Sequence, residues 1–266
     1  MSVSLFDRRS PAGGPSPVKR FDAAALTHEA VRAAKGTTTI SVIIPAKDEA
    51  STIGGVLAAV LPQVAAGLVE EVLVIDDGSS DGTAEVARSA GATVLTLEGG
   101  GGKGAAMAEG LAASQGELVV FLDGDVENTT TDFVPRLVGP LLLDPEVQLV
   151  KAFYDRPIEG DASGGGRVTE LSARPALRLL FPELADVRQP LAGETASRRA
   201  VLEKVGLEEG YRVEMALLID VGARWGAAAV AQVDLGVRIH RNRPLSELGP
   251  MATEVLAVAL ERFASF

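Results

Sequence analysis

VVFLDGDVE, Val119 to Glu127, is the stretch whose reading decides the fold. A short apolar run rich in Val and Phe, stopping at Asp123-Gly124-Asp125, reads as a buried parallel strand that delivers carboxylates to its carboxyl end. Open α/β sheets bind ligands at that edge. Two carboxylates one residue apart can hold Mg2+ or Mn2+ through oxygen and leave positions for phosphate oxygens and water. Asp-Gly-Asp is also a good turn sequence, so the tripeptide alone does not choose between the readings.

The flanking chain chooses. From Thr37 the pattern is regular: TTISVIIP predicts a strand closed by Pro45, followed by a helix over Ser51 to Leu61. EEVLVIDDG predicts a second strand, with a helix from Thr83 to Ala90 after it. TVLTLE is a third strand, then GGGGKG, then a helix from Ala105 to Ser114, and ELVVFLDGD is the fourth strand. Continuously apolar strands alternating with helices specify βαβ units and a mostly parallel sheet covered on both faces. The fold class is therefore α/β, a doubly wound, Rossmann-like sheet.

Beyond it, the pattern predicts a helix over Asp132 to Leu143, the strand VQLVKAFY, a Gly-rich loop GDASGGGR and a helix from Val168 to Leu180. After Pro190 regularity falls. The readable features are LAGET, a short helix from Arg198 to Val205, an amphipathic helix in YRVEMALLIDVGARWG, the strand AAAVAQVDLG, the loop IHRNRP and a last helix from Leu245. Residues 1–36, rich in Pro, Gly and Ser near their start, are expected to be a flexible tail with one short helix. Residues 37–153 form the nucleotide-binding half and 154–266 the acceptor-binding half, which extends the same sheet.

Composition bounds the function. The 266-residue chain carries a formal charge of −11, which argues against nucleic-acid and anionic-membrane partners. It has no cysteine and two histidines, so a metal must rest on Asp, Glu, His28 or His240. No apolar run reaches bilayer length and no basic-then-apolar leader opens the chain, so a cytoplasmic protein is expected.

Four loops at strand carboxyl ends carry polar chemistry. Pro45-Ala46-Lys47-Asp48-Glu49 follows the first strand; its acids can meet a base or ribose, and Asp48 can equally cap a helix. Asp76-Asp77-Gly78-Ser79-Ser80-Asp81-Gly82 follows the second, where Asp81 and Thr83 also read as a cap. Gly99 to Gly104, with Lys103, can bring backbone N–H groups and one ammonium to phosphate. The spacing matches neither a P-loop nor a dinucleotide-binding Gly-x-Gly-x-x-Gly after the first strand. Gly164-Gly165-Gly166-Arg167-Val168-Thr169 opens a helix with a guanidinium, a hydroxyl and free N–H groups, a suitable place for a phosphate.

Ile44-Pro45-Ala46, Ile75 to Thr83, Lys103-Gly104 and Asp123-Gly124-Asp125, in this order, resemble the nucleotide half of GT-A glycosyltransferases. Gly164 to Leu171, Gln189-Pro190-Leu191-Ala192-Gly193-Glu194, Tyr211-Arg212-Val213-Glu214 and His240-Arg241-Asn242-Arg243-Pro244-Leu245 narrow the likeness to the glucosyl-3-phosphoglycerate synthase family, over roughly Ser41 to Met251. The resemblance implies a GT-A fold and transfer of glucose from UDP-glucose to the 2-hydroxyl of 3-phosphoglycerate with retention. It also implies dependence on Mg2+ or Mn2+, and a homodimer. It places Asp125 and His240 on the metal, and Asp123 on the ribose or sugar side. Pro45, Ala46, Glu49, Asp77 and Lys103 would surround the uridine diphosphate, and Glu214 the sugar hydroxyls. The backbone at Leu191 and Ala192 would lie under the anomeric carbon, and Arg167, Thr169 and Asn242 would bind the acceptor. Lys47 departs from the uncharged residue common in relatives. GDP-mannose as donor, and a non-catalytic nucleotide-sugar-binding protein, stay open as alternatives.

Overall fold

A computed structural model describes residues 18–156, 166–239 and 245–266. The chain runs β1 (Lys19–Phe21), α1 (His28–Lys35), β2 (Ile40–Ala46), α2 (Ile53–Val60), α3 (Pro62–Ala65), β3 (Glu71–Asp76), α4 (Thr83–Ser89) and β4 (Thr93–Thr96). It continues with α5 (Gly102–Ala113), β5 (Leu118–Phe121), α6 (Phe133–Leu143), β6 (Leu149–Asp155) and α7 (Arg174–Leu180). Then follow β7 (Thr195–Arg198), α8 (Arg199–Val205), α9 (Val213–Trp225), β8 (Val230–Val237) and α10 (Leu245–Ser265).

The strands make one eight-stranded sheet in the order β1-β8-β6-β7-β5-β2-β3-β4. All neighbours pair in parallel except β7, which is antiparallel to both β5 and β6. The apolar run that decides the fold shows why these strands are apolar throughout. Leu118, Val120 and Leu122 enter one core layer with α2 and α6, while Val119 and Phe121 enter the other with α5 and α9. A strand buried on both faces has no polar side to show. Phe121 is fully buried, which contributes about 2–3 kcal/mol by transfer from water.

The structure corrects three expectations. Residues 1–36 are not all flexible tail and helix, because Lys19–Phe21 pair with Ala231–Val233 as edge strand β1. Lys19 fixes that edge through ion pairs to Asp144 at 2.7 Å and Glu146 at 2.9 Å. The antiparallel strand β7 occupies a stretch where the sequence pattern shows only LAGET and a helix from Arg198. Four residues directly before a helix are too few to display a period. Finally, α5 begins at Gly102, not Ala105, so Lys103 lies in the first helical turn. The carboxylate of Asp77 accepts the N–H groups of Gly101 at 2.6 Å and Gly102 at 3.1 Å, a cap supplied by another strand end. The loop IHRNRP falls mostly outside the described residues, as do residues 157–165 of the Gly-rich loop.

Candidate active site

The carboxyl ends of β2, β3 and β5 open on one cleft of about 590 Å3, closed on its far side by α9, α10 and the chain at Gly166–Thr169. Pro45, Ala46, Glu49, Asp77, Lys103 and Asp123 line it, as do Asp125, Arg167, Thr169, Leu191 and Glu214. His240 and Asn242 lie outside the described residues. The other histidine, His28, pairs with Asp132 at 3.0 Å between α1 and α6 and is not part of the cleft.

Each strand end shapes its part of the wall. Asp48, at φ +55°, accepts the Ser80 N–H at 2.8 Å and so ties the loop after β2 to the loop after β3; it does not cap α2. Asp81 accepts the N–H of Thr83 at 3.0 Å and of Ala50 at 2.9 Å, capping α4 and holding the neighbouring loop at once. Gly124 packs against Ala46, and its carbonyl accepts the Thr52 hydroxyl at 2.8 Å, so the Asp-Gly-Asp turn is held from both sides.

The charges meet at the end of β5. Lys103 bridges Asp123 and the buried Glu214, each at 2.6 Å. Burial opposes its charge, yet the two acids raise its pKa above the ordinary lysine value. Arg238, with 4% of its side chain exposed, donates to Asp123 at 2.7 Å, Asp125 at 2.8 Å, the Tyr154 hydroxyl at 2.8 Å and Glu194 at 3.3 Å. Burial would raise the Asp123 pKa, but Lys103 and Arg238 more than reverse that and hold it below the usual carboxylate range. Glu194 is the opposite case. With 1% exposure and one carboxylate oxygen lacking a partner among the described residues, burial raises its pKa, and Arg238 only partly offsets this.

Sequence reasoning missed Arg238, Glu194 and Tyr154 as a functional group. A cation just beyond the end of a parallel strand, two residues before His240, was a usable signal for Arg238. Its acid partners, up to 115 residues away, were not visible.

Asp125 tests whether a divalent metal suits the site. One of its oxygens accepts from Arg238; among the described residues the other has no partner, and the 26%-exposed side chain faces the cleft. The described residues contain no group of three or more Asp, Glu or His that would hold a metal unaided. Such a donor suits a hard cation whose other positions are filled by ligand oxygens and water.

The profile of glycosyl transferase family 2 matches residues 41–206. Over 246 residues the chain is 50% identical to glucosyl-3-phosphoglycerate synthase of Mycolicibacterium paratuberculosis, covering 87% of this chain and 74% of that one. The chain belongs to glycosyl transferase family 2, with the glucosyl-3-phosphoglycerate synthases. The Mycobacterium tuberculosis enzyme of that name is 48% identical over 246 residues, 87% of this chain and 76% of its own. Its crystal structure with Mn2+, UDP-glucose and phosphoglyceric acid superposes with a TM-score of 0.83 at 47% identity, covering 90% and 84% of the two chains. Its complex with Mg2+ and UDP gives a TM-score of 0.86 at 45% identity, covering 92% and 86%. In this family the GT-A expectation corresponds to the mostly parallel sheet and its cleft at the strand ends. Among the described residues, no helix is long and apolar enough to cross a membrane.

Proposed function

We propose that this chain transfers glucose from UDP-glucose to the 2-hydroxyl of 3-phosphoglycerate with retention, releasing UDP. The observation that carries the reading is one cleft with an acidic, Lys-bridged end at β5 and a second end lined by the guanidinium groups of Arg156 and Arg167 and the hydroxyl of Thr169. Relatives crystallised with Mn2+, UDP-glucose and phosphoglyceric acid support the donor, and support it over GDP-mannose. In this reading residues 37–153 bind the nucleotide and 154–266 the acceptor.

Pro45, Ala46, Glu49 and Asp77 surround the uridine, and Asp123 the ribose or sugar side. Glu214 hydrogen-bonds sugar hydroxyls, and the backbone at Leu191 and Ala192 lies under the anomeric carbon. Arg167 and Thr169 take the acceptor phosphate, and Asn242 its carboxylate. A bound divalent ion, held by Asp125 and His240, supplies positive charge beside the diphosphate. Lys103 and Arg238 add fixed cations on the same side, stabilising the charge that grows as the diphosphate leaves. The acceptor hydroxyl attacks from the face the diphosphate departs, and a donor phosphate oxygen takes its proton. A cytoplasmic homodimer is part of the same proposal, supported by the family resemblance.

The test offers 3-phosphoglycerate with UDP-glucose and GDP-mannose in parallel, with Mg2+ or Mn2+ and with EDTA. Glucosylation that EDTA, Asp125→Ala or His240→Ala abolishes supports the reading. Dominant mannosylation overturns the donor; no transfer from either sugar, by protein that still binds UDP, overturns the acceptor.

A further inference from the structure

Lys151 lies in the middle of β6 with its side chain 1% exposed and takes no part in the chemistry above. Its register neighbours are Thr195 on β7 and Gln232 on β8, neither of them acidic. Its one hydrogen bond among the described residues runs to a neutral acceptor, the Ala192 carbonyl, at 2.6 Å. Other charges act on it from a distance: Glu214 from α9, Lys103 from α5, and Glu194 and Asp123 from strand ends. A buried ammonium without a paired acid destabilises a fold, and an apolar side chain of similar volume would be less costly there.

What the ammonium holds is the segment under the cleft. The Ala192 carbonyl also accepts the Thr195 hydroxyl at 3.1 Å, while the Ala192 N–H closes a turn on Gln189 at 3.1 Å. Two residues on, the Glu194 carbonyl accepts the Ala152 N–H at 3.0 Å. Between these anchors Leu191 forms part of the cleft wall, and Gly193 lies against the Asp123 carboxylate, only 2.1 Å from where a Cβ would be.

We propose that Lys151 is a positioning residue for glycosyl transfer. By drawing the Ala192 carbonyl into the sheet it sets the height of Leu191–Gly193 against the donor sugar and against Asp123. The inference rests on the transferase reading for its rate effect, and on the loop geometry alone for its structural effect. A misplacement near 1 Å at a reacting centre costs on the order of 100-fold in rate. Burial brings the titration of Lys151 down to about 8, and the neutral amine keeps N–H groups that can donate to the same carbonyl, so the positioning role is read by replacing the side chain.

The experiment compares wild type with Lys151→Met by kcat, KM for UDP-glucose and amide hydrogen exchange over residues 189–195. The expected result is a folded variant whose kcat falls on the order of 100-fold with KM changed by less than about threefold. Exchange in the segment is at least about tenfold faster. Wild-type kcat in the variant overturns the proposal, as does lost activity with unchanged exchange. Should Lys151→Met not fold, Lys151→Gln carries the same readouts. A wild type that does not glucosylate 3-phosphoglycerate refutes the transferase reading instead, and hydrogen exchange then decides the positioning role on its own.

Discussion

Replacing Arg238 by Met removes the cation shared by Asp123, Asp125 and Glu194, and the three acids do not suffer alike. Asp123 keeps Lys103 at 2.6 Å, and Asp125 is open enough to the cleft to be hydrated. Glu194 loses its ion pair with Arg238 while 1% exposed, with its other oxygen already unpaired among the described residues. Removing one member of a buried pair costs roughly 3–5 kcal/mol, and here most of it falls on Glu194. At about 2–4 °C per kcal/mol for a chain of this size, the melting temperature drops by roughly 6–20 °C. The assay is a double-mutant cycle of Arg238→Met and Glu194→Gln by urea unfolding at pH 7. A neutral amide has far less to lose from burial, so the double variant recovers at least about 2 kcal/mol relative to additivity. Coupling below about 0.5 kcal/mol refutes the assignment of the cost to Glu194.

Asp77→Ala removes the acceptor for the Gly101 and Gly102 N–H groups. It lowers stability by about 1 kcal/mol, as for a lost helix cap, and weakens UDP binding in calorimetry. Gly104→Ala puts a Cβ 1.8 Å from the Glu208 carbonyl oxygen and 2.9 Å from the Glu209 Cα, both backbone. Overpacking of this kind costs about 1–3 kcal/mol or more, read as a lower melting temperature with α5 and Lys103 displaced. Lys151 also predicts a pH effect on stability. Its native pKa of about 8 lies below the ordinary lysine value of 10.5, so between those values the unfolded chain holds a proton that the native chain has lost. Its contribution to stability therefore rises with pH through that window, by up to about 3 kcal/mol. Urea unfolding of wild type minus Lys151→Met at pH 7.5 and pH 10 measures it; a flat difference contradicts the burial argument.

Much of this arrangement is legible in the chain itself. The runs SVIIPA, EVLVID and LVVF are apolar almost throughout because both faces of the sheet are covered, and each stops at polar residues because its carboxyl end meets the cleft. The loops that follow bring Asp77, Asp123 and Asp125 to one place, where the first turn of α5 adds Lys103, as their positions after parallel strands imply. Hidden from that reasoning are β1, three residues long, and β7, four residues before a helix, whose partners lie far along the chain.

What the sequence determined by itself was local: periodicity, burial on one face or two, the residues at strand ends, and the sign of the net charge. Only the tertiary structure decided which charges touch. Inserting antiparallel β7 between β5 and β6, with β8 beyond, delivers Glu194 to Arg238 and the Ala192 carbonyl to Lys151. Those contacts span 44 and 41 residues, and the Arg238–Asp123 pair spans 115. A side-chain period reports only the neighbours one strand or helix turn away. The order of strands is set by the packing of the whole sheet, so contacts between distant strand ends are written in no single stretch of chain.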